Sequence, residues 1–276
     1  MMNKPSLYLV ATPIGNLKEM SPRALEVLNS VAFIACEDTR VTRKLCQHFA
    51  IKTLLISCHE HNENKAVEKI IKALKDGYSV ALTSDAGFPA ISDPGELVVA
   101  KVLEQGFKIE VISGPCALIN ALVASGLSTK HFYFHGFLAH KVSERRKELE
   151  SLAEREETLI FYEAPHRISE TIELLIQTFG PRKACLAREL TKKFEEFLRG
   201  SLEELRNILI TRELKGEMVL VVEGYKKPER PTLSRFEVVD EVTKLVNQGL
   251  SVRDAIRQIS KTYKLSKNEV YQLFHQ

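Results

Sequence analysis

The sequence predicts an α/β protein with two successive α/β domains and a small helical appendage. Three observations lead there. Short apolar runs alternate with helix-length stretches over the first 125 residues. A second set of such runs follows at a different spacing, and past a proline-containing segment at 225–231 the pattern is purely helical. A prior of roughly 100–200 residues per domain leaves room for two large domains in 276 residues. The expected bounds are 1–124, 125–225 and 226–276, with a joint near Ala124–Lys130.

In the first domain Leu7–Ala11, Val31–Ala35, Thr53–Ile56, Val80–Leu82 and Ile109–Ile112 read as strands. Between them lie helix starts. Ser21-Pro22 is an N-cap with proline at the first helical position, Asp93-Pro94-Gly95-Glu96 repeats the device, and Gly114-Pro115 opens another helix. Strands alternating with helices imply a parallel sheet covered on both faces. In the second domain His131–His135, Thr158–Tyr162, Ala184–Ala187, Glu195–Leu198 and Met218–Val222 are candidate strands, with helices at Pro165–Phe179 and Ser201–Ile210. Two strands flanking Glu189–Phe194 suggest a hairpin, so this sheet is expected to be mixed. In the tail, Ser251-Val-Arg-Asp254 and Ser266-Lys-Asn-Glu269 read as capping boxes opening helices at about 251–261 and 266–274. Two short helices with a tight connection resemble a helix-turn-helix, although a three-helix bundle reads the same way.

Composition narrows the class. A hydrophobic fraction of 44% and a charged fraction of 27% exclude collagen, rod and wholly disordered chains. No apolar run reaches the ~18 residues of a spanning helix, and the first residues lack a signal-peptide pattern, so a cytoplasmic protein is expected. Five cysteines, with no C-x-x-C pair, read as reduced buried thiols. Net charge is +3, yet residues 226–276 hold ten Lys/Arg against six Asp/Glu, so the entire basic excess sits in the tail. That suggests an anionic partner such as nucleic acid, or simply a solvated helical face.

None of the thirteen glycines forms a G-x-G pair, which removes the dinucleotide fingerprint. The P-loop, G-x-S-x-G and H-E-x-x-H patterns are absent too. Instead three loops combining Gly and Pro follow strands one, four and five, at residues 11–16, 83–95 and 112–118. In open α/β sheets ligands bind beyond the carboxyl ends of strands, and small residues there let the backbone approach them.

With these loops the chain resembles the tetrapyrrole methylase superfamily. Within it, YLVATPIGNL (8–17), ACEDTR (35–40), SDAGFPAISDPG (84–95), SGPCA (113–117), HGF (135–137), FYEAPHR (161–167), ARELTK (187–192) and KGEMVLVVEG (215–224) resemble the ribosomal RNA small subunit methyltransferase I family. The resemblance implies two α/β domains of the tetrapyrrole methylase type, a homodimer, and S-adenosylmethionine-dependent methylation of the ribose 2′-oxygen of a cytidine in the decoding centre of 16S rRNA. The first loop departs from the G-x-G-x-G of the cobalamin and sirohaem branch, which argues against a tetrapyrrole substrate. A small-molecule methyltransferase of the same fold and a noncatalytic rRNA-binding assembly factor are the alternatives.

By analogy with the superfamily, the cofactor is expected against Asp85, Ala86, Gly87, Ala90 and Ile91, then Cys116, Ala117 and Leu118, with Tyr162, Glu163, Ala187 and Met218 from the second domain. No metal is required. Asp85 also reads as a turn-forming residue, and Asp93 as a helix cap in preference to a ligand. Transfer to an alcohol needs help in removing its proton, and Glu37, His59, Glu163 and Glu189, all at strand ends, have suitable chemistry. Asp38 could cap the helix that follows it. Arg40, Arg43, Arg167 and Arg188 are candidates for RNA phosphates, or buried partners of neighbouring carboxylates. Arg145, Arg146 and Lys147, and in the tail Arg253, Arg257, Lys261, Lys264 and Lys267, add basic groups for RNA.

Overall fold

The computed structural model describes residues 5–227, 234–263 and 265–275. The first sheet contains β1 (Ser6–Val10), β2 (Phe33–Cys36), β3 (Leu54–Ser57), β4 (Val80–Thr83) and β5 (Lys108–Ile112), in the order β3-β2-β4-β1-β5. Every pairing is parallel. Parallel neighbours need long crossovers, and these are α1 (Pro22–Ser30), α2 (Thr39–His48), α3 (Glu63–Lys75) and α4 (Glu96–Glu104), with α5 (Ala117–Ser125) leaving the sheet after β5. Side-chain alternation splits each strand between two cores. Val10, Ile34, Cys36 and Ala81 pack on one face with Ala24 and Leu28 of α1. Leu7, Ala35, Val80 and Leu82 pack on the other with Ile70 and Leu74 of α3 and Val98 of α4.

Two starts are capped as the sequence suggests. The Ser21 hydroxyl accepts the Ala24 N–H at 3.1 Å ahead of Pro22. Asp38 Oδ1 accepts the Arg40 N–H at 2.8 Å and opens α2. The third expected cap differs: α4 starts at Glu96 with Gly95 in the N-cap place, so Asp93 is not a helix cap. The Gly95 N–H instead donates to Glu63 Oε1 at 2.9 Å.

The second sheet holds β6 (Phe132–Phe137), β7 (Thr158–Glu163), β8 (Lys183–Arg188), β9 (Glu196–Ser201) and β10 (Met218–Val222), ordered β6-β7-β10-β8-β9. It is mixed: β6 and β7 are parallel, the other pairs antiparallel, and β8 and β9 form the expected hairpin. Three helices, α6 (Val142–Leu152), α7 (Ile168–Phe179) and α8 (Leu202–Thr211), bury Leu149, Ile172, Leu175 and Leu205 on one face. The opposite face, Ile160, Cys185, Ala187, Val219 and Val221, is covered by Leu118, Ala121 and Leu122 of α5, together with Ile14. A helix that leaves the first sheet thus packs on the second, which sets the loops at the carboxyl ends of β1, β4 and β5 against the second sheet.

The tail forms a separate compact unit from Lys226 on. Helices α9 (Arg235–Asn247), α10 (Val252–Thr262) and α11 (Lys267–His275) share a core of Val238, Val242, Ala255, Ile256, Ile259 and Val270. It is a three-helix unit, one helix more than the two short ones placed by capping motifs. Ser266 and Glu269 exchange both bonds of a capping box. At Ser251 the box is half made: Asp254 Oδ2 takes the Ser251 hydroxyl at 2.6 Å, because the shorter aspartate side chain does not reach back to the backbone N–H. Among the described residues no helix is long and apolar enough to cross a membrane.

Candidate active site

The loops after β1 and β4 are joined by two backbone bonds, Thr12 N–H to Gly87 O at 2.9 Å and Gly87 N–H to Thr12 O at 3.0 Å. The second of these loops runs through left-handed backbone at Ala90 (φ 67°) and Ser92 (φ 62°). The loop after β8 does the same at Glu189 (φ 49°) and Thr191 (φ 64°), and Thr191 Oγ1 accepts the Asn16 N–H at 3.0 Å from the first loop. Such conformations in non-glycine residues cluster where function demands a particular path. The HGF segment contributes a bulge in β6 at Gly136 (φ 83°). There a Cβ would stand 3.2 Å from the Ser92 hydroxyl, so glycine lets the two segments approach.

Between these loops lies a cleft of about 530 Å³. Ile14, Ala86, Gly87, Ile91, Cys116 and Ala117 line it from the first half; Tyr162, Glu163, Glu189, Lys192, Met218 and Val219 line it from the second. The Tyr162 ring meets Phe134 and Phe137 edge-on at 5.0 and 5.5 Å, and burial raises its phenol pKa. Eight of the residues expected around a cofactor lie in this wall: Ala86, Gly87, Ile91, Cys116, Ala117, Tyr162, Glu163 and Met218. Four do not. Leu118 and Ala187 are buried in the core beneath it. Asp85 accepts the Asp38 N–H at 3.1 Å and ties the loop after β4 to the one after β2. Ala90 lines a second, more polar hollow of about 660 Å³ next to the first.

That hollow collects Glu37, His59, Glu60, His61, Glu63 and Asp93. Burial, reinforced by Asp85, raises the Glu37 carboxyl. His59 presents a buried Nδ1 without a hydrogen-bond partner. Asp93 is pushed up to about 7, chiefly by burial and then by the charge of Glu37, with the Ser84 hydroxyl acting in the opposite sense. Sequence reasoning took Asp93 for a helix cap, because Asp-Pro-Gly-Glu also spells a helix start; the signal for placing it in this hollow was a fourth acid in the loops that follow adjacent strands β2 and β4, beside Glu37, Asp38 and Asp85.

The remaining candidates fall into two groups. Glu163 is sealed: its carboxylate takes the Thr171 hydroxyl at 2.5 Å and the Ala164 N–H at 2.9 Å, and its side chain is fully buried. What Glu163 shows the cleft is its backbone, while its carboxylate is spent on these partners, which is a structural arrangement and sets it apart from the other candidate bases. Arg167 is likewise enclosed, donating to Leu138 O at 2.8 Å and Ala139 O at 3.0 Å, so it is a structural partner of Glu163 and not a phosphate ligand. Arg145 is buried too, on the Ala139 and His140 carbonyls and Glu170, and faces no RNA. Glu189 faces the cleft, but Lys192 Nζ at 2.9 Å holds its carboxyl below the usual range. Arg188 is mostly buried on Glu196 and Lys215 O. Arg40 is exposed and forks onto Asp38, holding that carboxyl down to about 2; Arg43 is exposed on α2 and Arg253 on α10. Lys264 lies outside the described residues.

The family profile described as Tetrapyrrole (Corrin/Porphyrin) Methylases matches residues 6–206. A protein of Bacillus subtilis (strain 168) named Ribosomal RNA small subunit methyltransferase I is 42% identical over 273 residues, 98% of this chain and 94% of its own. One of the same name from Synechocystis sp. is 46% identical over 269 residues, 97% of this chain and 96% of its own. The chain belongs to the ribosomal RNA small subunit methyltransferase I family. Two solved structures share the fold. Uroporphyrin-III-C-methyltransferase from Thermus thermophilus has a TM-score of 0.56 at 20% identity, and diphthine synthase 0.60 at 16%; each covers 79% of this chain, and they are covered over 94% and 89% of their own.

Membership makes the chain an S-adenosylmethionine-dependent methyltransferase, and the cleft is a fit for that cofactor. Its volume lies within the roughly 300–1,000 Å³ of small-ligand sites. Ile14, Cys116, Ala117, Met218 and Val219 offer apolar surface for an adenine ring and a methionine chain. The cation in the wall, Lys192, is neutralised by Glu189 and Glu217, each 2.9 Å from its Nζ, so a sulfonium entering the cleft is not repelled.

Proposed function

We propose that this methyltransferase modifies the ribose 2′-oxygen of a cytidine in the decoding centre of 16S rRNA, acting on the small ribosomal subunit. The observation that carries this reading is the extent of the likeness: identity of 42–46% with relatives named for the small-subunit rRNA runs over 97–98% of the chain, tail included.

When bound, S-adenosylmethionine supplies an electrophilic methyl on a positively charged sulfur. Ala86, Gly87 and Ile91 would hold it from the loop after β4, Cys116 and Ala117 from the start of α5, and Tyr162 and Met218 from the second sheet. Aligning donor and acceptor accounts for most of what the protein must supply, because an in-line displacement loses charge as it proceeds. Glu189 and Lys192, locked to each other, shape the rim. Arg43 on α2, and Arg253 with Arg257 on α10, would meet RNA phosphates as forked donors, and Arg40 would join them on leaving Asp38. We place the protein in the cytoplasm as a homodimer, as the resemblance implies.

The test is transfer of labelled methyl from S-adenosylmethionine to unmodified small subunits, run beside naked 16S rRNA, with nucleosides identified by mass spectrometry. Label in 2′-O-methylcytidine supports the reading. Cofactor binding with no label in RNA overturns it.

A further inference from the structure

Asp93 stands where the two hollows meet. Among the described residues, only it and the neighbouring Ser92 line both the apolar cleft and the polar hollow. The segment that carries it is held on a costly path. Ala90 and Ser92 both adopt left-handed backbone, the Ala90 N–H bonds Pro94 O at 3.3 Å, and Gly95 is tied to Glu63. None of this serves helix capping, since Gly95 occupies that place.

We infer that Asp93 takes the proton from the acceptor hydroxyl during methyl transfer. The inference rests on the ribose reading above. An acceptor oxygen must approach the methyl group from the open side of the cofactor cleft, so its base must face that cleft while remaining open to the nucleotide. Glu37 and His59 line only the polar hollow, Glu163 is sealed, and Glu189 is bound to Lys192. Asp93 meets both conditions, and no ion pair to a cation holds it among the described residues. In the step, the 2′-oxygen bonds the methyl carbon as the carbon–sulfur bond breaks with its electron pair going to sulfur. The hydroxyl proton passes to the Asp93 carboxylate and is later lost to water.

The surroundings of Asp93 keep its carboxyl basic. Burial contributes most; Glu37 just past β2 and Asp85 after β4 add negative charge, which the Ser84 hydroxyl partly offsets. His59, Glu60 and His61 share the hollow, as do Glu63 of α3 and Glu96 of α4; Tyr162 faces it across the cleft. Its carboxyl titrates at about 7, where a base is half available at neutral pH.

The experiment uses full-length protein with unmodified small subunits, comparing wild type, Asp93→Asn and Asp93→Glu. Asp93→Asn is expected to slow single-turnover transfer about 10²–10⁴-fold. Its affinities for cofactor and subunit, by calorimetry and filter binding, should stay within about threefold. The wild-type rate should rise with pH through about 7 and level off; Asp93→Asn should lose that limb and Asp93→Glu should regain part of it. Carbon-13 NMR of aspartate-labelled protein should show one carboxyl titrating near 7 that vanishes in Asp93→Asn. A variant as active as wild type, an unchanged limb, or loss of cofactor binding in parallel with rate overturns the inference. Wild type that labels no ribose, while still binding cofactor, overturns the substrate reading and this inference with it.

Discussion

The Thr171 hydroxyl donates to the Glu163 carboxylate at 2.5 Å, linking the end of β7 to the second turn of α7 inside the second sheet's cover. Arg167 Nε lies 3.3 Å from the same carboxylate, in ion-pair reach but off the hydrogen-bond line. Both charges are buried and each has its backbone partners. Glu163→Ala should therefore leave an uncompensated guanidinium and cost about 3–5 kcal/mol. That corresponds to a drop in melting temperature of roughly 6–20 °C. Glu163→Gln should cost less, and both variants should retain methyl transfer per folded molecule. A Glu163→Gln protein that melts like wild type but transfers no methyl would return Glu163 to the chemistry.

Gly216 has φ 90°, and a Cβ there would collide with the Glu189 carboxyl. Glu189 is itself fixed by Lys192 Nζ and by the Glu217 N–H at 3.2 Å. Gly216→Ala should displace this rim into the cleft. We expect about tenfold weaker S-adenosylmethionine binding by calorimetry, or about 1.4 kcal/mol, and a loss of about 1–3 kcal/mol in stability. Unchanged cofactor affinity would show that the rim does not touch the ligand.

The ten strands were legible because each is a short apolar run bounded by turn residues, and most ends fall within two positions of expectation. Val31 read as strand but closes α1, its N–H on Val27 O; a buried apolar cap and a strand residue have the same composition. Helix α9 has a capping box, Ser234 with Glu237, as good as those that were read, but it directly follows the linker prolines. The loops of the site were legible from Gly and Pro beyond strand ends. What was not legible was side-chain direction: Asp85, Leu118 and Ala187 sit among cleft-lining neighbours yet point elsewhere, and Glu163 and Arg167 spend their charges on each other. Such choices are made by partners distant in sequence, such as Asp38 for Asp85 and Leu138 for Arg167.

Arg253, Arg257 and Lys261 recur every fourth residue on the exposed side of α10, opposite the buried Ala255, Ile256 and Ile259. If this stripe meets RNA, reversing all three charges to Glu should weaken binding to small subunits. The slope of log affinity against log salt should fall in magnitude by about 2–3, at roughly 0.7–0.9 per phosphate contact. Cofactor affinity should not change, because the cleft is built wholly from residues before the tail. An unaltered salt slope would assign the stripe to solvent.

The carboxyl of Asp93 titrates at about 7 in the fold, above its value of about 4 in an unfolded chain. Between these two values the folded state binds more protons than the unfolded one, so this group's contribution to stability falls as pH rises through the window and is fully present below it. Low-lying carboxylates such as Asp38 and Glu196 act in the opposite sense, losing their contribution as pH falls. The effect of Asp93 is therefore read against Asp93→Asn, which shares every other group. The variant should match wild type near pH 4 and be more stable at pH 8 by about 2 kcal/mol, allowing for solvent screening of a group that reaches the hollow. Urea unfolding at both pH values measures this. A difference that does not change with pH would mean that burial leaves Asp93 an ordinary aspartate, and the cost of holding an ionised carboxylate between the two hollows would vanish with it.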